Sequence, residues 1–92
     1  MIKTFADKDT ERLFHREVVA RFRAFERIAL RRLYSLDQVS NLGVLAQIPG
    51  LRLEKLRGNR QGQWSIRINR QWRVCFRFEE GNFYDVAIVD YH

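Results

Sequence analysis

Leu51 to Phe78, LRLEKLRGNRQGQWSIRINRQWRVCFRF, is the stretch whose reading decides the fold. Leu51 and Leu53 flank Arg52, and Gly58-Asn-Arg-Gln-Gly62 makes a turn. Trp64, Ile66 and Ile68 then alternate with Ser65, Arg67 and Asn69. After a tight connection at Asn69-Arg70, Trp72, Val74, Phe76 and Phe78 alternate with Arg73, Cys75 and Arg77. A period of two means that successive side chains leave opposite faces of a pleated strand, so this stretch is an antiparallel meander. On that parity the apolar set of the Trp72 strand faces a core, and Arg73 and Arg77 stand on an opposite, open face.

The stretch holds eight of the seventeen Lys and Arg residues of the chain against one acid, Glu54. Cations threaded through a sheet are held in fixed positions and suit a surface that binds phosphates.

Downstream, Glu79-Glu-Gly-Asn82 is a turn, and Phe83 to Val89 is a final strand rich in β-formers. Upstream the period changes. Ile2 to Phe5 suits a short strand; Asp7, Asp9 and Thr10 offer N-cap side chains for an amphipathic helix over about Thr10 to Phe22, with Leu13, Phe14 and Val18 on one face. Phe22, Phe25, Ile28 or Ala29, Leu33 and Leu36 recur at helical spacing in a second helix, leaving Arg23, Arg27, Arg31 and Arg32 on a basic face. Ser40-Asn41, Gly43 and Pro49-Gly50 end helical structure, with room for one short turn at Leu42 to Ala46. The expected class is α+β: an N-terminal strand and a two-helix hairpin packed on one face of a mostly antiparallel sheet.

Ninety-two residues support one domain, residues 1–92, and one hydrophobic core. A formal charge of +6 points to polyanionic partners. No apolar run is long enough to span a membrane and no signal peptide is evident, so a cytoplasmic protein without membrane contact is expected. The single cysteine, Cys75, excludes an internal disulfide and a multi-cysteine zinc site; with only His15 and His92 besides, no metal and no cofactor is expected. Trp64 and Trp72 share parity with Ile66 and Val74, so core packing outweighs base stacking; Cys75 has no local partner that would make it a nucleophile, and His15 reads as a surface residue.

Asp90-Tyr91-His92 ends the sequence, placing a carboxylate, a phenol and an imidazole directly after an apolar strand. Histidine, with an unperturbed pKa of about 6.5, exchanges protons at neutral pH, and a neighbouring arginine stabilises a phosphate on which charge develops. These groups suit attack of an RNA 2′-hydroxyl on its adjacent phosphate, with Arg73 as the candidate phosphate clamp. That reaction needs a base, an acid and a cation.

The helical hairpin, the segment L-E-K-L-R-G-N-R-Q-G-Q-W-S-I-R-I-N-R-Q-W-R-V-C-F (Leu53 to Phe76) and the terminal V-D-Y-H (Val89 to His92) together closely resemble HigB-type toxins of the RelE/ParE superfamily. The resemblance covers essentially the whole chain. It implies a metal-independent, ribosome-dependent mRNA endoribonuclease that cuts messages in the ribosomal A site, on the small subunit. It also implies a HigA-like helix-turn-helix antitoxin that neutralises the toxin and brings it to operator DNA. The catalytic set it implies is Arg73, Asp90, Tyr91 and His92, joined by Glu54 and Arg57, where some relatives carry His and Lys. A guanidinium is a poor proton acceptor, so Arg57 is left to bind phosphate and Glu54 or His92 to serve as base. Lys55, Arg57, Arg60, Arg67, Arg70 and Arg77 are expected along the RNA backbone. Two rival readings belong to the same superfamily: a non-catalytic ParE-like toxin that poisons gyrase by protein contact, and a degenerate toxin retained as a corepressor.

Overall fold

The computed structural model describes residues 1–91. Asp7 opens α1 (Lys8–Phe14) as its N-cap. Its carboxylate accepts from the Thr10 amide at 2.7 Å and from the Thr10 hydroxyl at 2.9 Å, satisfying a donor that the first turn leaves without a helical partner. Buried Thr10 in turn accepts from the Ile88 amide at 2.9 Å, which ties the helix start to the sheet.

This helix is shorter than the periodicity predicts. It stops at Phe14, where Arg16 takes a left-handed conformation (φ 66°). The amide of Glu17 returns to the Arg12 carbonyl and that of Arg16 to the Leu13 carbonyl, the paired bonds of a Schellman stop. Arginine occupies the position where glycine usually announces such a stop, so the apolar pattern runs on past it in sequence. Val18, expected on the apolar face, lies beyond the stop and is exposed.

A 3-10 helix (Ala20–Phe25) runs directly into α2 (Glu26–Gln38). Ala29, Leu33 and Leu36 are fully buried on one face of α2, and each leucine contributes roughly 1.5–3 kcal/mol by leaving water. Asn41 caps α3 (Leu42–Ala46), its side chain accepting from the Val44 amide at 2.7 Å; this is the short turn expected there.

The sheet is an antiparallel meander in the order β1 (Glu54–Lys55), β2 (Trp64–Arg67), β3 (Trp72–Glu79) and β4 (Asn82–Asp90). The Ile2–Phe5 segment bridges in parallel to β4 through Ile2–Phe83 and Phe5–Val86. The first strand of the meander is two residues long rather than beginning at Leu51, because Arg52 adopts a left-handed conformation (φ 50°) and bends the chain.

Val74, Phe76, Phe83, Val86 and Ile88 meet the helices in the main core. Trp72 packs there against Phe25 with ring centroids 4.9 Å apart, and Trp64 also lies against this cluster; both tryptophans are partly buried and pack against the core, on the side that parity predicts.

The other face of β3 departs from expectation. Arg73 is 9% exposed and Cys75 is fully buried, so the face carrying them is not open. The Leu51–Gln63 segment bends back at Arg52 and lays β1 beside β2, so that the backbone at Arg52 and the side chain of Glu54 reach Arg73. Arg77, farther along β3, is half-buried and pairs with Asp85 at 3.5 Å.

Candidate active site

The β2–β3 register sets Ser65 opposite Cys75 and Arg67 opposite Arg73; Glu54 lies opposite Ser65 across β1–β2. Residues directly opposite share a face, so Glu54, Ser65, Arg67 and Arg73 project to the same side. Val89 lies opposite Arg73, and Tyr91 follows it by two residues, returning to that side just past the end of β4. Asp90 lies opposite Trp72 and falls on the helix side.

The product is a cleft of about 280 Å³ lined by Arg52, Glu54, Arg67, Asn69, Arg70, Arg73 and Tyr91. Four arginines and one carboxylate residue line it, and Arg73 is the arginine paired with that carboxylate.

Arg73 is fixed from two sides. Its Nε donates to Ser65 Oγ at 2.7 Å, and its Nη2 donates to the Arg52 carbonyl at 2.7 Å. The left-handed Arg52 accompanies that bond, so a local backbone cost is tied to the placing of one guanidinium. Glu54 reaches Arg73 Nη2 at 3.5 Å while its own side chain stays 57% exposed. Such a carboxylate is open to water and within reach of a substrate at the same guanidinium.

Tyr91 is anchored through its backbone, whose amide donates to the Gln71 carbonyl at 2.8 Å, while its side chain remains partly exposed at the cleft. Asp90 accepts from Gln71 Nε2 at 2.9 Å, so both residues hold the end of β4 to the loop before β3. His92 lies outside the described residues.

Of the expected catalytic set, the cleft unites Arg73, Glu54 and Tyr91 and draws in Arg67 and Arg70. Asp90 does not line it. Arg57 and Lys55 line a separate depression with Leu56, Gly58 and Gln61. Arg60 bonds Gln63 at 3.1 Å and Arg77 pairs with Asp85, so neither is part of the cleft.

Three contributors escape a reading of charge and period. Arg52 acts through its carbonyl and its backbone bend, Ser65 as a buried acceptor, and Asn69 through a turn. The Asn69-Arg70 pair does mark that connection as tight. Among the basic residues of the helices, Arg32 turns inward and donates to the Arg67 carbonyl at 2.8 Å; burial, with Arg31 beside it, lowers its pKa. Burial likewise pushes the Cys75 thiol pKa up, with Arg60 and Arg73 opposing the rise. Among the described residues no cluster of His, Cys, Asp or Glu side chains is placed to hold a metal ion, and no helix is long and apolar enough to cross a membrane.

Residues 3–92 match a family described as the RelE-like toxin of type II toxin-antitoxin system HigB. The chain is similar to Endoribonuclease HigB of Proteus vulgaris, with 35% identity over 94 residues spanning 100% of both chains. It is 34% identical to Toxin HigB-1 of Vibrio cholerae serotype O1 over 86 residues, covering 88% of this chain and 87% of the relative. Among solved structures, the YoeB dimer from Staphylococcus aureus superposes with a TM-score of 0.57 at 22% identity, covering 99% of this chain and 94% of the other. The YoeB–YefM complex from the same organism gives 0.56 at 18%, with coverage of 100% and 98%; these two likenesses speak for the fold.

Proposed function

Since the chain belongs to the HigB-like family of RelE-like toxins of type II toxin-antitoxin systems, we propose that it is an endoribonuclease that cuts messenger RNA in the A site of translating ribosomes without a bound metal. A HigA-like helix-turn-helix antitoxin holds it in check and carries it to operator DNA.

The observation that carries this reading is the cleft that Arg52, Arg67, Arg70 and Arg73 line together with Glu54 and Tyr91. Arg73 is held before substrate arrives, so orienting it requires no reorganisation during the reaction. It binds the scissile phosphate. The ribose 2′-oxygen forms a bond to phosphorus as its proton passes to a base, and the 5′-oxygen leaves, taking up a proton. Glu54, exposed and beside Arg73, is the base the cleft offers; His92 is the other candidate for proton transfer. Tyr91 orients or stacks on the substrate. Asp90 acts through Gln71, steadying the loop and strand end that flank the cleft. Arg57 and Lys55, in a separate depression, contribute further contacts to the RNA backbone, as do Arg60 and Arg77.

The test is mapping of message ends on programmed ribosomes treated with the purified protein. Cuts within the A-site codon are expected. Arg73→Lys, which keeps a charge but not the planar fork, should cut roughly 10²-fold more slowly while remaining folded. Intact messages with the folded parent protein would remove the nuclease reading, and DNA breaks in expressing cells would favour the gyrase-poison alternative.

A further inference from the structure

The basic face of α2 is not uniform: Arg31 is exposed, whereas its neighbour Arg32 is half-buried and turned toward the sheet. No ion pair among the described residues includes Arg32, so a carboxylate does not account for that turn. What it meets is one backbone oxygen, the Arg67 carbonyl, to which its Nε donates at 2.8 Å. That oxygen needs a partner because of the way the sheet is built. The Ile68 amide donates to the Trp72 carbonyl at 2.9 Å, and bonding alternates along an antiparallel pair, so the amide and carbonyl of Arg67 point away from β3. β1 pairs with β2 only at Ser65 and Trp64, so no strand covers that edge at Arg67. The Arg67 amide instead donates to the Leu51 carbonyl at 2.6 Å, and Arg32 satisfies the Arg67 carbonyl. The same guanidinium lies beside the chain entering Leu51: a Cβ on Gly50 would stand 3.8 Å from Arg32 Nη2.

We propose that Arg32 is a positioning residue for message cleavage, holding the Arg67 peptide and, through it, the bend at Arg52 that anchors Arg73. This rests on the endoribonuclease reading and adds a residue of α2 to its machinery. The route is short. The Arg67 residue receives Arg32 on its carbonyl and gives its N–H to Leu51, and the residue after Leu51, Arg52, offers the carbonyl that fixes Arg73 Nη2 at 2.7 Å. Arg52 is left-handed, so the bend carries a backbone cost and persists because its surroundings hold it. Loosening it frees a guanidinium whose fixed orientation the reaction uses. Arg32 does not line the cleft, so its effect falls on the rate of the chemical step rather than on the holding of RNA.

Two substitutions of similar reach separate the hydrogen bond from the charge. The side-chain nitrogen of Gln stands as many bonds from Cα as the Nε of Arg, so Arg32→Gln keeps the donor without the cation; Arg32→Met keeps neither. Parent and variants are assayed on programmed ribosomes for kcat and KM of message cleavage, with thermal midpoints measured in parallel. In Arg32→Met, kcat should fall roughly tenfold or more with KM within about twofold, since misplacing a reacting group by about 1 Å costs on the order of 10²-fold. Arg32→Gln should recover to within about threefold of the parent, a neutral hydrogen bond being somewhat weaker than a charged one. In an Arg73→Lys background, where no Nη2 reaches the Arg52 carbonyl, adding Arg32→Met should cost nothing further. An unchanged kcat in Arg32→Met overturns the proposal, and so does a full further loss in the Arg73→Lys background. Equal losses in both variants with a raised KM overturn it too, because the charge would then be acting on RNA from a distance. Failure of either variant to fold assigns Arg32 to stability and overturns it as well. A folded parent that cuts no message overturns the nuclease reading and this inference together, before any substitution is made.

Discussion

Ser65 Oγ accepts a 2.7 Å hydrogen bond from Arg73 Nε across the β2–β3 pair, with both residues buried. A buried cation needs its donors met, and hydrogen bonds to charged groups contribute about 1.5–3 kcal/mol. Ser65→Ala should therefore destabilise the fold by about that amount in urea denaturation. It should also slow message cleavage beyond what lost folding explains, because the guanidinium loses one of its two anchors. Unchanged stability would mean that the bond carries no load.

Glu54 and Arg73 form a pair whose acidic member is 57% solvent-exposed, so its contribution to stability is below about 1 kcal/mol. Glu54→Gln should leave the denaturation midpoint almost unmoved. Binding of single-stranded RNA should tighten as the carboxylate among the cleft arginines disappears, while cleavage falls about 10²-fold if Glu54 accepts the 2′-hydroxyl proton. Tighter binding with an undiminished cleavage rate would assign the proton elsewhere.

Arg67 and Arg70 line the cleft beside Arg73, and cations that neutralise phosphates release counterions. Each replacement by Ala should lower the slope of log affinity against log salt by about 0.7 for a single strand, weakening binding equally across RNA sequences. A titration series in potassium chloride checks this, and a slope equal to the parent's would exclude the replaced residue from the phosphate track.

Gly62 has φ +89°, and a Cβ there would stand 2.9 Å from Arg77 Nη1. Gly62→Ala should cost about 1–2 kcal/mol in chemical denaturation from the left-handed backbone alone, and it should displace Arg77 from Asp85. A double variant with Arg77→Ala separates the two: the backbone cost persists and the steric part vanishes.

Cys75 is fully buried and its pKa is raised, chiefly by burial. Above the ordinary thiol range, near pH 8.5, the unfolded chain loses this proton while the folded chain keeps it. Stability from this group is therefore intact below that pH and declines as pH climbs through the raised value. Cys75→Ala should flatten the alkaline fall relative to the parent in pH-dependent denaturation, and the native thiol should react with a thiol-specific dye only as the protein unfolds.

Period and turn chemistry made much of this fold legible. The meander, the burial of Ala29, Leu33 and Leu36, the turn at Leu42–Ala46 and the packing of both tryptophans against the core follow from spacing alone. Two of the misses share one cause. Arg16 and Arg52 take left-handed conformations without glycine, ending a helix in one case and bending a strand in the other, and no residue type announces either. The second bend brings backbone and Glu54 onto Arg73, which is why a side chain assigned by parity to an open face is 9% exposed. The candidate site was visible as a set of charges. Its division, with Glu54, Arg73 and Tyr91 in one cleft and Asp90 on the far side of the strand, depends on register and bulges that composition does not encode.

The N-terminal segment has a wider effect. Lys3 and Ala6 donate to the carbonyls of Phe83 and Val86, while the amides of Phe83 and Val86 donate to Met1 and Thr4. The outer margin of β4 is thus occupied by the protein's own first residues, and the opposite margin, β1, is two residues long and charged. Neither side offers a long vacant ladder for a second chain to extend, so this sheet is guarded against edge-to-edge aggregation at high concentration.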